Sequence, residues 1–273
     1  MSMNSFHARQ KKPRPAPQPA AERPSGILRV DALLVAQGLA PSRNIAQQLI
    51  KGGRVSWAGG LIAKASLELP GDTPLTVVED ETTRYVSRGG LKLAGALAQT
   101  GLPVAGKTCL DIGQSTGGFT DCLLQAGAAR VVGVDVGHDQ LHPRLRLDER
   151  VTAIEGVNCR AVTADDLGSA MPAGGFDLIV GDVSFISLTL VLPQLPLLLA
   201  ADGDMLLLVK PQFEVGPGNL GKGGIVRDSS LYRDVENKLR DFAQNFRLTV
   251  AAWLDSPITG GDGNREFFIW LKK

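Results

Sequence analysis

After residue 90, short apolar runs alternate with stretches of helical periodicity, and this alternation restricts what the chain can fold into more than any other feature. Strands are expected at 107–112, 130–135, 151–155, 176–182, 204–210, 248–254 and 266–272. Helices are expected at 91–100, 117–126, 163–169, 187–200 and 228–245. Alternating strands and helices build a mostly parallel sheet covered on both faces. Only the turn-rich residues 256–265 separate the last two runs, so these should pair antiparallel. The expected fold class is α/β: a doubly wound, mostly parallel, seven-stranded sheet with a reversed terminal strand.

The stretch 101–121, GLPVAGKTCLDIGQSTGGFTD, holds two signatures for phosphorylated or nucleoside ligands. Gly101 to Thr108 fits the P-loop pattern letter for letter, but a P-loop must follow a strand and open a helix. Here the order is reversed: Leu91, Gly95, Ala98 and Leu102 recur at helical spacing, Gly101 suits a helix exit, and Lys107 and Thr108 begin a strand. The second signature has the right context. It runs from a strand through a glycine turn into a helix starting near Phe119.

Ligands of open α/β sheets bind beyond the carboxyl ends of the strands, where the chain direction reverses. The strand 107–112 is expected there, followed by Gly113, Ser115, Thr116, Gly117 and Gly118, whose glycines allow close approach of backbone to ligand. The NAD fingerprint is absent, and Asp111 suits a charged amino group better than a pyrophosphate. Asp135, ending the next strand, is placed to accept both ribose hydroxyls of an adenosine; a helix cap or a solvated loop acid would look the same. The three features together point to a nucleoside with an amino acid tail, which S-adenosylmethionine fits. Asp165 or Asp166 could reach the adenine amine, although Thr163 to Asp166 equally reads as a helix start.

The fourth strand ends at Asp182 and the fifth at Lys210, on the same rim, with Glu266 heading the terminal strand. A lysine ending a wholly apolar run needs a partner or a task, because desolvation disfavours its charge. The same residues also suit a rim salt-bridge cluster. Asp182-Val-Ser-Phe lacks the proline pair of exocyclic-amine methyltransferases. No cysteine lies where pyrimidine carbon methylation needs its nucleophile.

The amino-terminal part has a different character. Residues 1–26 carry Arg9, Lys11, Lys12, Arg14 and Arg23 against Glu22, with prolines interleaved, and read as a disordered basic tail. Residues 27–82 read as a small α+β domain. Val30, Leu33, Leu34 and Leu39 form one helical face, and Ser42 caps a second helix carrying Ile45, Ala46, Leu49 and Ile50. Arg29, Arg43, Lys51, Arg54 and Lys64 face one acid, Asp31, which makes a phosphate-backbone reader plausible beside the alternative of a solvated helical domain. Residues 83–90 read as a linker into a catalytic domain over 91–273. With a net charge of only +1, a uniformly basic nucleic-acid coat is ruled out. The most apolar stretch, 188–201, is too short to span a bilayer. Three cysteines without metal-ligand spacing point to a reduced, cytoplasmic setting.

Residues 29–55 resemble the S4 RNA-binding module at Arg29, Asp31, Leu34, Ser42, Arg43, Ala46, Leu49, Ile50, Gly53 and Val55. The module's usual V-N-G turn is replaced by Val55 to Gly60. From SRGG-x-KL at 87–93, the Asp111 to Asp121 turn, GDVSFISL at 181–188, KPQFE at 210–214 and Asn264 to Phe268, the chain resembles the TlyA, or hemolysin-A-like, family over 27–273. That resemblance implies an S4-type domain joined to a Rossmann-like, FtsJ-type methyltransferase acting on a ribose 2′-hydroxyl, a cytidine's, in ribosomal RNA, with S-adenosyl-L-methionine as cofactor. The FtsJ-type tetrad maps onto Lys92, Asp182, Lys210 and Glu266, with Lys210 orienting or deprotonating the hydroxyl, Asp182 holding Lys210, and Glu266 positioning Lys92 or the ribose. Cofactor contacts are expected from Asp111, Gly113, Ser115, Thr116, Gly117, Gly118, Phe119, Asp135 and Asp182. RNA contacts are expected from Arg29, Ser42, Arg43, Lys51, Arg54, Arg88 and, on a mobile flap over 216–224, Lys222 and neighbouring Arg227. Gln114 departs from the small residue usual in the turn. The partner is ribosomal RNA or a ribosomal subunit, with no membrane. Rival readings are a non-catalytic RNA-binding or ribosome-assembly protein and, from the family's label, a cytolysin.

Overall fold

A computed structural model of the chain describes residues 26–40, 42–78 and 84–273. The basic tail expected over 1–26 lies, apart from Gly26, outside them. The chain divides into two compact units, Met1–Glu79 and Asp80–Lys273.

In the first unit β1 (Ile27–Arg29) pairs antiparallel with β4 (Glu68–Pro70). Helices α1 (Val30–Ala36) and α2 (Arg43–Lys51) pack together over Val30, Leu33, Leu34, Ala46, Leu49 and Ile50. Ser42 caps α2 by accepting from the Ile45 amide. The helical face is shorter than expected: α1 ends at Ala36, so Leu39 falls beyond it and is exposed, as is Ile45 on α2. β2 (Val55–Trp57) pairs antiparallel with β3 (Gly60–Leu61) and with β5 (Thr76–Val77). The altered turn still closes a hairpin, because the Trp57 ring lies over Gly59, where any side chain would overlap it.

The second unit carries α3 (Gly89–Thr100), β6 (Thr108–Ile112), α4 (Gly118–Gln125), β7 (Arg130–Asp135), α5 (Pro143–Arg146), β8 (Val151–Glu155), α6 (Ala164–Leu167) and β9 (Phe176–Gly181). It continues through α7 (Leu188–Val191), α8 (Leu195–Leu198), β10 (Leu199–Val209), α9 (Leu231–Gln244), β11 (Thr249–Asp255) and β12 (Phe267–Lys272). Its sheet runs β11-β12-β10-β9-β6-β7-β8. All neighbours are parallel except β12, which is antiparallel to both β10 and β11. This is the expected doubly wound sheet, with the reversed last strand inserted between β10 and β11. Two apolar clusters cover the sheet's faces, one around Phe176, Ile179 and Leu207 and the other around Leu178, Leu206 and Phe268.

Gly101, in the left-handed conformation (φ 67°), ends α3, and the next strand starts at Thr108, so the P-loop match sits at a helix exit. The single helix expected over 187–200 is instead two one-turn helices. Pro193, which lacks an amide donor, falls between them, and Pro196 sits in the first turn of the second, where no donor is needed. β10 therefore begins at Leu199, five residues earlier than expected, with a register irregularity before Asp204. Residues 84–90, read from sequence as a connector, pack into this unit: Tyr85 is buried, the Val86 amide donates to Asp121, and Gly89 opens α3.

Candidate active site

The reversed strand assembles the site. Because β12 runs antiparallel to β10, its first residue pairs with the last of β10 (Val209 opposite Phe267). Glu266 is thus brought to the rim where Lys210 leaves β10 and Asp182 leaves β9. Lys92, on the first turns of α3, reaches the same rim. The four side chains form two ion pairs: Lys210 Nζ to Asp182 Oδ1 at 2.6 Å, and Lys92 Nζ to Glu266 Oε2 at 2.5 Å. Lys92 and Glu266 are buried, and Lys210 is largely so. Lys210 Nζ also donates to Ser184 Oγ at 2.5 Å.

Two cavities meet at this cluster. The smaller, about 160 Å³, is walled by Gly113, Gln114, Ser115, Thr116, Gly118, Phe119 and Asp182, together with Ser87 and Gly89. The larger, about 390 Å³, is walled by Lys92, Glu266, Phe185, Gln212 and Phe213 and by the glycine-rich segments near 223 and 261. Ser184 and Lys210 line both. The rings of Phe185 and Phe213 stand 5.2 Å apart at the larger cavity, and Phe185 is 90% exposed.

The glycine turn departs in detail from the expected contacts. Gly113, Ser115, Thr116, Gly118, Phe119 and Asp182 line the smaller cavity, whereas Asp111, Gly117 and Asp135 stand outside its wall. Leu141 and Leu145 pack on Gly117. Asp111 is wholly buried, with Oδ2 accepting from Thr120 Oγ1 at 2.6 Å and Oδ1 unpartnered. Burial pushes its carboxyl up to about 7. The Gln114 carboxamide donates to Thr120 at 2.9 Å and lies against Gly133, so the bulkier residue is absorbed inward. Asp135 accepts from the amides of Ser115 and Gly137, both at 2.7 Å, and so shapes the loop around the turn. Asp166 closes a capping box with Thr163, so its carboxylate serves the start of α6.

Gly118 could carry no side chain, because Ser87 Oγ occupies that space and the Gly90 amide lies 3.0 Å away. Close backbone, hydroxyls of Ser115 and Thr116, the amino end of α4 and the carboxylate of Asp182 suit a polar nucleoside-type ligand with a charged tail. Cys109 and Cys122 are buried, with thiols pushed up to about 12 by burial, which disqualifies both as nucleophiles.

Among the expected RNA contacts, Arg88 donates to the Thr259 carbonyl, and Lys222 and Arg227 are exposed. The segment carrying Lys222 is fastened by buried Asn264, whose side chain accepts from the Val226 amide and donates to the Gly224 carbonyl. In the first unit Asp31 is fully buried and holds Arg29, Arg43 and Gln47. The Arg29 hydrogen bonds, before the others, hold its carboxyl well below the usual carboxylate range. Both guanidiniums remain substantially exposed. Ser42 is occupied as a cap, Lys51 is exposed, and Arg54 donates to the Val78 carbonyl.

Sequence reasoning missed Ser184, Phe185, Gln212 and Phe213 as lining residues, and Asn264 and Glu214 as fasteners. For Ser184, Phe185, Gln212, Phe213 and Glu214 the available signal was their presence inside GDVSFISL and KPQFE, and for Asn264 its place at the head of the Asn264 to Phe268 motif.

Residues 85–273 match the FtsJ-like methyltransferase family, and residues 28–70 match the S4 domain. The chain is 46% identical over 244 residues to a Mycobacterium tuberculosis protein named 16S/23S rRNA (cytidine-2′-O)-methyltransferase TlyA, covering 89% of each. It is 38% identical to the Hemolysin A of Brachyspira hyodysenteriae, over 88% of this chain and 98% of that one. A solved structure of a Streptococcus thermophilus protein carrying a hemolysin label is 42% identical, with a TM-score of 0.69 over 90% of this chain and 88% of that one.

Proposed function

The chain belongs to the FtsJ-like methyltransferase family, and from that premise we propose that it methylates the ribose 2′-hydroxyl of a cytidine in ribosomal RNA. The observation that carries the reading is the position of Lys210, whose ammonium lies at the junction of two cavities and is anchored by Asp182. S-adenosylmethionine would supply an activated methyl group from the smaller cavity, held by the backbone and hydroxyls of residues 113–118 with Asp182 toward its charged tail.

A ribose hydroxyl is a weak acid and a poor nucleophile. The protein must therefore fix its oxygen in line for transfer and help its proton leave. Lys210 is placed to hold the hydroxyl at the junction, with Asp182 and Ser184 fixing the direction of Nζ. The Lys92–Glu266 pair lines the larger cavity beside Lys210 and would face the ribose and its phosphate. Phe185 and Phe213 offer a stacking surface for the target base, which is how proteins engage a nucleotide taken out of its stack. The oxygen would gain the methyl as the carbon–sulfur bond breaks with its electron pair left on sulfur, and the hydroxyl proton would pass to water, while Lys210, already an ammonium paired with Asp182, holds the oxygen in place.

The S4 domain would supply phosphate contacts through Arg29 and Arg43, which Asp31 holds in fixed directions while their outer edges face solvent. No helix of the described residues is long and apolar enough to cross a membrane. Incubation with labelled S-adenosylmethionine and ribosomal subunits tests the reading. Label in alkali-resistant dinucleotides is expected, and label confined to bases, or no label at all, would overturn it.

A further inference from the structure

Glu214 closes the KPQFE run and takes no part in the site described above, yet only 1% of its side chain is exposed. Its carboxylate accepts from Ser187 Oγ at 2.6 Å, from the Leu188 amide at 2.7 Å and from Lys238 Nζ at 2.7 Å. Lys238, on α9, also reaches the Glu214 carbonyl at 3.2 Å. A buried carboxylate is costly unless it is paired and fully hydrogen-bonded, and this one is both.

What the carboxylate joins is informative. Ser187 ends the loop that leaves β9 and Leu188 opens α7, while Glu214 ends the segment that leaves β10. These two segments are already tied at their roots by Asp182 and Lys210. Glu214 ties them again at their far ends. Between the ties stand Ser184 and Phe185 on one segment and Gln212 and Phe213 on the other, all lining the larger cavity. Phe185 has a left-handed backbone (φ 64°), which a bulky residue adopts only where its surroundings dictate it. Burial does not dictate it, because the ring is exposed and its ring contact is Phe213.

We propose that Glu214 is a positioning residue. By fastening Ser187 and Leu188 to the Lys210 segment, with Lys238 balancing its charge, it holds Phe185 in its strained conformation and aims the ring at the target base. The base as occupant rests on the function proposed above; the tie itself does not.

The test uses the full chain with 4-fluorophenylalanine incorporated at 185 and read by ¹⁹F NMR. With Glu214 in place, a ring-current-shifted resonance is expected from the neighbouring Phe213 ring. Glu214→Ala should move it toward the solvent-exposed position. Glu214→Gln, which keeps an acceptor for the Leu188 amide, should restore most of the shift. Lys238→Met, at a half-exposed surface position, should give a smaller displacement in the same direction, and it carries the test if Glu214→Ala does not fold. A resonance unmoved in the folded variants would overturn the proposal. In parallel, the apparent KM for ribosomal subunits should rise about tenfold in Glu214→Ala while S-adenosylhomocysteine affinity stays unchanged. An equal loss of both would mark Glu214 as merely structural and overturn the proposal. A parent protein that methylates no RNA would sink the functional reading and leave the resonance to judge the tie.

Discussion

The carboxamide of Gln114 lies against Gly133 of β7, in space that any side chain at 133 would need. Its Nε2 donates to Thr120, which in turn donates to Asp111. Gly133→Ala should therefore push Gln114 out of this chain of hydrogen bonds, at a cost of about 1–3 kcal/mol. S-adenosylhomocysteine binding should weaken as the turn shifts. Adding Gln114→Ala to Gly133→Ala should recover part of the lost thermal stability. Identical melting of the single and double variants would show that the two residues do not compete for the space.

Asp111 predicts a pH dependence. Its folded pKa of about 7 arises first from desolvation, opposed by the Thr120 hydrogen bond and reinforced by the charges of Asp182 and Asp135. In the unfolded chain the carboxyl titrates near ~3.9. Between those values the folded protein holds a proton that the unfolded chain releases. The group's stabilising contribution is thus complete below pH ~4 and is lost as pH rises through about 7. Asp111→Asn does not titrate, so its stability relative to the parent should climb from pH 4 to 7 and level off above. Denaturant unfolding at several pH values measures this, and a pH-independent difference would contradict it.

Phe185 should contribute to RNA affinity and not to cofactor affinity. Stacking of one base on an aromatic ring is worth ~1–3 kcal/mol, roughly 5- to 150-fold in binding. Phe185→Ala should raise the apparent KM for ribosomal subunits within that range and leave S-adenosylhomocysteine binding unchanged. Its ring is exposed, so Phe185→Ala should leave folding stability unchanged. Parallel titrations of both ligands decide the point.

Arg43 should act as a phosphate contact. Asp31 keeps Arg29 and Gln47 when Arg43 is removed, so Arg43→Ala should fold normally. RNA binding should weaken, with a salt dependence reduced by about one counterion. An unchanged slope would place Arg43 away from the backbone.

Much of this arrangement could be read from the sequence. The strands 130–135 and 151–155 appear within their expected limits because apolar runs bounded by turn residues leave little choice of register. The rim cluster was also legible, since strand ends in a doubly wound sheet share one edge and a lysine ending an apolar run demands a partner. The break at Pro193 is legible in its missing amide donor, against the helical periodicity of the surrounding leucines. What could not be read depends on tertiary neighbours. Gln114 looks like a steric problem until Gly133 provides its space, and Glu214 has no evident role until two loops from separate strands meet at its carboxylate. The burial of Asp111 behind the turn, instead of within the cavity wall, follows from the inward path of Thr120, on which local pattern is silent.

Lys210, at the junction of the two cavities, is the residue proposed to carry ribose methylation. The test maps 2′-O-methylated riboses in ribosomal RNA from cells lacking this gene, complemented with the parent chain or with Lys210→Ala at equal protein level. Cytidine sites should return with the parent chain and stay unmodified with Lys210→Ala, a loss of at least about 10²-fold in rate. Equal modification by both chains would contradict it.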